Sequence, residues 1–285
     1  MKATEDDSSE FIGLEPLEFL WSQSKQLVDR SARLDFSDAR LFLGERFFRR
    51  IMLMTLTFLR WNPLSNSFPK GAHWDLASSA AVARCVLETY LRLVYFAVER
   101  VPNHANFQAV EINTHSEAPE EVLARHRSGR DQARTALEAN PYFQDLPLKW
   151  KKSLIDHPSR IDLPKASKAA GISPGYHHSS YEFCSAFVHG SLYAIQLTES
   201  VNLETGEGQP IFKELAHIVT GYLALGIRDF VSLFPSMAPL EPRTNRLITF
   251  WQNAMKWEEL PEFQRMRRIA HGLESAEEIT NENAE

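Results

Sequence analysis

Apolar residues recur at spacings of three and four through most of the chain, and no long stretch alternates apolar and polar residues. Side chains three and four apart share a helix face, whereas a half-buried strand alternates, so the pattern predicts an all-α multi-helix bundle. A first helix is predicted over about 16–34, with Leu17, Leu20, Trp21 and Leu27 on one face. A second runs from Ser37 as N-cap to about Trp61, where Asn62-Pro63 stops it, because the residue before a proline is driven out of the helical region. Phe47, Ile51, Met54 and Phe58 form its core stripe, and Arg46, Arg49 and Arg50 fall towards solvent or a partner. The third, about 75–100, is apolar on nearly every side, including Leu76, Ala80, Val86, Leu87, Leu91 and Phe96, which predicts a central position.

Beyond Val101-Pro102 lies a polar connection, and Ala118-Pro119 then opens a charged helix that ends near Asn140-Pro141. A short helix at about 146–155, a loop rich in Ser, Pro and Lys, and a turn at Pro174-Gly175 follow. The next helix, about 179–188, is ended or bent by Gly190. After a loop at 200–210, an apolar helix covers about 211–234, and Pro235, Pro239 and Pro242 set off a last pair of helices. The expected organisation is a disordered acidic segment at 1–10, a bundle domain at 11–235, C-terminal helices at 236–273 packed on it, and a disordered acidic tail at 274–285.

Composition narrows the class. The 285 residues include 18 Phe, 6 Trp and 7 Tyr, enough packing material to exclude a chain disordered throughout. The net charge of −6 is concentrated at the two ends, and without 1–10 and 274–285 the body stands at +2. That near-neutrality argues against duplex DNA or an anionic membrane as partner and leaves single-stranded RNA or a small anionic ligand open. Two cysteines in apolar segments, Cys85 and Cys184, suit buried thiols in a reducing compartment, so a cytoplasmic location is expected. The acidic start lacks the apolar run of a signal peptide, and no apolar run reaches bilayer-spanning length. A homodimer is compatible with this composition.

Two polar stripes interrupt the apolar helices. Arg84, Glu88 and Arg92 follow one another at intervals of four on the third helix, and Tyr181, Ser185 and His189 do the same on the later one. At 3.6 residues per turn each set drifts only about 40° per step and forms one stripe. Ions on an otherwise apolar helix need partners or water. The stripes are therefore expected to face one another around a polar pocket, with Gly190 permitting close backbone approach beside His189. In that arrangement His189 serves as acid or base, Arg84 and Arg92 bind an anion, Glu88 orients an Arg or the His, and Tyr181 and Ser185 place the ligand. Ordinary intrahelical ion pairing and hydrogen-bonded core packing account for the same residues without any site.

The Arg84-x3-Glu88 and Tyr181-x3-Ser185-x3-His189-Gly190 patterns resemble those of an uncharacterised bacterial all-helical domain family. That family lies near the HEPN-like (higher eukaryote and prokaryote nucleotide-binding) and abortive-infection proteins. The resemblance spans about 39–234 and implies an HEPN-like helical core with extra C-terminal helices and a conspicuous site, with no assigned reaction. HEPN ribonucleases work without metal, through an Arg four to six residues before a His. The positions before His189 that would carry it hold Glu182, Phe183 and Cys184, so an Arg must come from the other helix. Arg265 and His271 have the spacing but lie in a short basic stretch near the tail.

Other chemistries find weaker footing. A di-iron bundle needs two Glu-x-x-His pairs and two further Glu residues, and the chain offers Glu214-x-x-His217 alone. His177, His178 and Glu182 are candidate metal ligands, although an adjacent His pair at a helix entrance is also an ordinary solvent-facing cap. Phosphate-cradling Gly loops and a Gly-x-Ser-x-Gly elbow are both missing. No metal or cofactor is expected.

Overall fold

The computed structural model describes residues 11, 13–34, 38–67, 75–99, 124, 128, 131–132, 134–156, 161–189 and 209–256. Among these the regular structure is helical throughout, as the periodicity predicts: α1 (Leu14–Ser31), α2 (Ala39–Trp61), α3 (Leu76–Leu93), α4 (Pro141–Gln144), α5 (Leu148–Asp156), α6 (Leu163–Ala169), α7 (Pro174–Val188), α8 (Gln209–Leu233) and α9 (Pro242–Ala254). No helix among the described residues is long and apolar enough to cross a membrane.

Local chemistry sets the boundaries. Asp38 caps α2 by accepting from the Arg40 N–H, one residue later than the predicted Ser37, which lies outside the described residues. Asn62 ends that helix in an extended conformation, as the following proline requires. Asp75 caps α3 through the N–H groups of Ala77 and Ser78, and α3 runs on into one wider π turn over Val94–Val98.

Two further features differ from the sequence reading. The predicted Ser/Pro/Lys loop contains α6, which Asp162 starts by accepting from the Lys165 N–H at 3.0 Å. Gly171, at φ 79°, closes it: the Gly171 N–H donates to Lys168 O and the Ile172 N–H to Ser167 O. Pro174-Gly175 is not a turn but the first residues of α7, with Ser173 as N-cap, because proline at the first helical position surrenders an N–H that had no partner anyway. Of the predicted last pair of helices, α9 falls within the described residues, preceded by a 3-10 turn at Pro235–Met237. The acidic ends, most of the charged 118–140 segment, Gly190 and residues 200–208 of the predicted 200–210 loop lie outside them, and 209–210 belong to α8.

α3 is central, packing against α2, α7 and α8. Its Ala80, Ala83, Val86, Leu87 and Leu91 are fully buried, as are Phe48, Ile51 and Phe58 of α2 and Phe212, Leu215, Val219 and Phe230 of α8. α9 closes the bundle against α8 and α1. It crosses α8 at Gly221, where an added Cβ would stand 3.0 Å from the Trp251 ring and 3.1 Å from Met255 Sδ. At the end of α9 the Met255 carbonyl accepts the Ser173 N–H, tying it to the start of α7.

Candidate functional site

Neighbouring α3 and α7 bring parts of the two stripes together. Arg84 is the joint: its Nε donates to Glu88 Oε1 at 3.0 Å, one turn on along α3. Its Nη2 donates to the Tyr181 hydroxyl, with the guanidinium carbon 4.5 Å from the Tyr181 ring centroid. Its Nη1 lies 3.3 Å from His189 Nε2. A guanidinium only donates, so this last contact is a hydrogen bond when Nε2 presents its lone pair and the ring proton sits on Nδ1. Glu88 serves both arginines, since its Oε2 accepts from Arg92 Nη1 at 3.3 Å. The planar five-donor fork of arginine lets one side chain satisfy a carboxylate, a phenol and an imidazole together, which a lysine ammonium could not do with the same geometry.

Two members of the predicted set stand apart from this joint, and a third is not among the described residues. The Ser185 hydroxyl donates at 2.6 Å to the Tyr181 carbonyl on its own helix, the usual recourse of a serine within a helix. Arg92 pairs with Glu88, and among the described residues it makes no hydrogen bond or ion pair to an α7 side chain. Gly190 lies outside the described residues.

Helix spacing also fixes the shape of the site. His189 is the C-cap of α7 and exposed, and the side chains of Arg84, Glu88 and Arg92 are 21%, 23% and 35% exposed. Among the described residues the expected polar pocket takes the form of a partly exposed cluster at the α3–α7 seam, with the Arg84 guanidinium reaching across onto the tyrosine ring. Two cavities lie elsewhere. One of about 410 Å³ is lined by Phe11 and α9 residues, and one of about 1060 Å³ lies where α4, α6 and α7 begin, edged by Glu99, Asp145, Asp162, Lys165 and Lys168.

Behind the cluster, α7 turns neutral. Burial lowers the His177 imidazole to about 4, with a further push from His178, and its ring lies 6.1 Å from that of Tyr181. Burial likewise pushes the Cys184 thiol up to about 12, whereas Cys85, also expected to be buried, is exposed on α3. His178 is exposed and pairs with Glu182 at 3.1 Å. Since α7 starts at Pro174 with Ser173 as its cap, both histidines sit within the helix about 100° apart, so neither is the predicted cap, and of the two only His178 faces solvent. Glu214 and His217 are buried with 3.7 Å between Oε2 and Nδ1. Among the described residues no three His, Cys, Asp or Glu side chains gather into a set that could hold a metal ion.

The sequence reading missed a polar group deeper in the bundle. Tyr90 of α3 meets Arg228 and Asp229 of α8, and Arg228 Nη2 also donates to the Ala170 carbonyl at 3.2 Å. An adjacent Arg-Asp pair in an apolar helix was the available signal. Arg265 and His271 lie outside the described residues. No family model matches the chain, and neither the curated proteins nor the solved structures show a significant similarity to it.

Proposed function

We propose that the Arg84–Tyr181–His189 cluster binds the phosphate of RNA or a nucleotide and processes it without metal, in the manner of the HEPN-like proteins that the motifs resemble. One observation supports this reading: Arg84 Nη1 lies 3.3 Å from His189 Nε2, so two helices supply the Arg and His pair that those ribonucleases draw from one. In an RNA substrate the phosphate draws Arg84 Nη1 away from His189 Nε2, and that freed lone pair takes the proton of the attacking 2′-hydroxyl; the 2′-oxygen bonds to phosphorus, the bond from phosphorus to the 5′-oxygen breaks, and the 5′-oxygen takes its proton from water. Arg84, with Arg92 beside it, stabilises the charge that builds on the phosphoryl oxygens. Tyr181 holds the guanidinium in place, and Glu88 spaces the two arginines. A cytoplasmic bacterial protein of a defence or stress system is the setting this chemistry and the resemblance suggest.

The test is cleavage of end-labelled single-stranded RNA in EDTA. Wild type is expected to cleave, and folded His189→Ala and Arg84→Ala variants to lose about 100-fold or more in rate. Undiminished cleavage in either variant, or an inert wild type, would overturn the reading.

A second reading is favoured by Glu88, which already occupies both arginines. On that reading the cluster is a non-enzymatic module that recognises a small anionic ligand. Calorimetric titration with a mononucleotide, giving binding without turnover that Arg84→Ala abolishes, would select it.

A further inference from the structure

The inner face of α2 is buried in the core through Phe48, Ile51, Thr55, Phe58 and Leu59, yet its outer face is not the polar surface that a core helix ordinarily presents. Phe42, Leu53 and Trp61 stand 42%, 51% and 44% exposed. Arg46, Arg50 and Arg60 are exposed between them. At 100° per residue, all six fall within an arc of about 100°, and they span about 29 Å of helix. The only acid in α2, Glu45, is buried and held by Arg49, with Arg46 Nε 3.9 Å from its other oxygen, so the exposed side chains of the stripe that carry charge are all cationic. Arg46 lies over the Phe42 ring at 4.9 Å.

We propose that the outer face of α2, from Phe42 to Trp61, docks an acidic amphipathic helix of a partner protein. Exposed Trp and Arg side chains with an aliphatic centre are the residue types that anchor protein interfaces. Charge complementarity names the partner: its carboxylates pair with Arg46, Arg50 and Arg60, and its apolar side chains cover Leu53 and Trp61. Single-stranded nucleic acid fits less well. The most exposed apolar group, Leu53, cannot stack a base, and the two rings stand at opposite ends of the stripe rather than at neighbouring nucleotides. A bilayer fits less well too, since the arginines share the arc of the apolar groups and would be drawn into the lipid with them. A second copy placed face to face would set arginine against arginine. This surface does not depend on the chemistry at Arg84 and His189.

The experiment uses the full chain and fluorescence anisotropy with two synthetic 21-residue helical peptides, Leu on one face and Glu on its flanks in one, Lys for every Glu in the other. Wild type is expected to bind the Glu peptide in preference to the Lys peptide, more weakly as salt rises. The double variant Arg50→Glu/Arg60→Glu should lose about tenfold or more for the Glu peptide and gain affinity for the Lys peptide. Leu53→Ser should weaken the Glu peptide while leaving the slope with salt unchanged. All three positions are exposed, and circular dichroism checks that the variants stay folded. Equal affinity for the two peptides, no binding, or indifference to Leu53→Ser would overturn the proposal. So would tighter binding of a 12-residue oligouridine or of phosphatidylserine vesicles that the same variants abolish, or self-association that Leu53→Ser abolishes.

Discussion

The Tyr90 hydroxyl donates to Asp229 Oδ2 at 2.8 Å across the α3–α8 interface, and Arg228 donates to both oxygens of the same carboxylate. Asp229 is 6% exposed, so its charge is tolerated only because a phenol and a guanidinium surround it. Arg228 extends the link to the Ala170 carbonyl at the end of α6, so three helices share one polar lock. Tyr90→Phe removes one donor and leaves the ion pair, and should cost about 1–3 kcal/mol. Asp229→Ala strands the guanidinium and should cost more, about 3–5 kcal/mol. Urea unfolding curves order the two variants, and an Asp229→Ala midpoint no lower than that of Tyr90→Phe would refute the lock.

Stability should fall as the solution is acidified below the ordinary histidine range, and His177 is the cause. Its folded pKa is lowered from 6.5 to about 4, first by burial and then by His178. Between those values the unfolded chain takes up a proton that the folded chain refuses. The contribution is whole above 6.5 and is lost as pH falls through 4, about 3 kcal/mol in all. Chemical denaturation at a series of pH values measures the slope, and His177→Phe should flatten it in this window.

An opposite slope is expected in alkali. Tyr90, Tyr95, Tyr176 and Tyr222 are held protonated well above their ordinary value of 10.0, in each case chiefly by burial. Asp229 adds to the effect at Tyr90, and Glu214 at Tyr176. The unfolded chain releases these protons first, so their contribution is complete below pH 10.0 and declines above it. Tyrosinate absorbance should therefore rise for these groups in step with the loss of helical circular dichroism. Their ionisation within a chain still helical would contradict this.

The helices were legible where burial writes a period into the sequence. The apolar faces of α1, α2, α3 and α8 and the stop at Asn62-Pro63 needed only spacing and proline chemistry. α6 was hidden because Leu163-Pro164-Lys165-Ala166-Ser167-Lys168-Ala169 is short and polar enough to read as loop, although Asp162 with a proline two residues on is a helix-start signal. The Arg84 stripe was visible as ions on an apolar helix, and spacing placed Tyr181 and His189 on one face of another. What spacing could not give was reach: the arginine side chain crosses the seam by itself, and Ser185 turns back to its own backbone. Tyr90 and Asp229 lie 139 residues apart, a separation at which local periodicity says nothing.

The crossing of α8 and α9 should be intolerant of size. A Cβ on Gly221 would already stand 3.0 Å from the Trp251 ring, and that ring is 2% exposed with no room to swing away. Alanine at Gly221 gains helix propensity of about 1 kcal/mol against this crowding, so its net effect should be small. Leucine gains no more propensity and must displace Trp251 and Met255, for a loss of about 1–3 kcal/mol. A thermal melt of Gly221→Leu as stable as wild type would show that α9 is free to shift along α8.

Arg84→Lys separates the charge of Arg84 from its shape. Lysine keeps the cation and can still pair with Glu88, and the site is part-exposed, so stability should change by less than about 1 kcal/mol. An ammonium cannot place three donors in one plane, so the contacts to Tyr181 and to His189 Nε2 cannot both persist beside the one to Glu88. Phosphate binding or RNA cleavage at the cluster should fall at least about tenfold with the fold intact, because positioned hydrogen bonds rather than net charge stabilise the developing anion. Adding Tyr181→Phe to Arg84→Lys should cost less than Tyr181→Phe alone, since the three-way geometry that Tyr181 completes is already broken. A double variant whose losses simply add would mean that Arg84 and Tyr181 act independently, and the joint between α3 and α7 would then be two neighbouring contacts and not one unit.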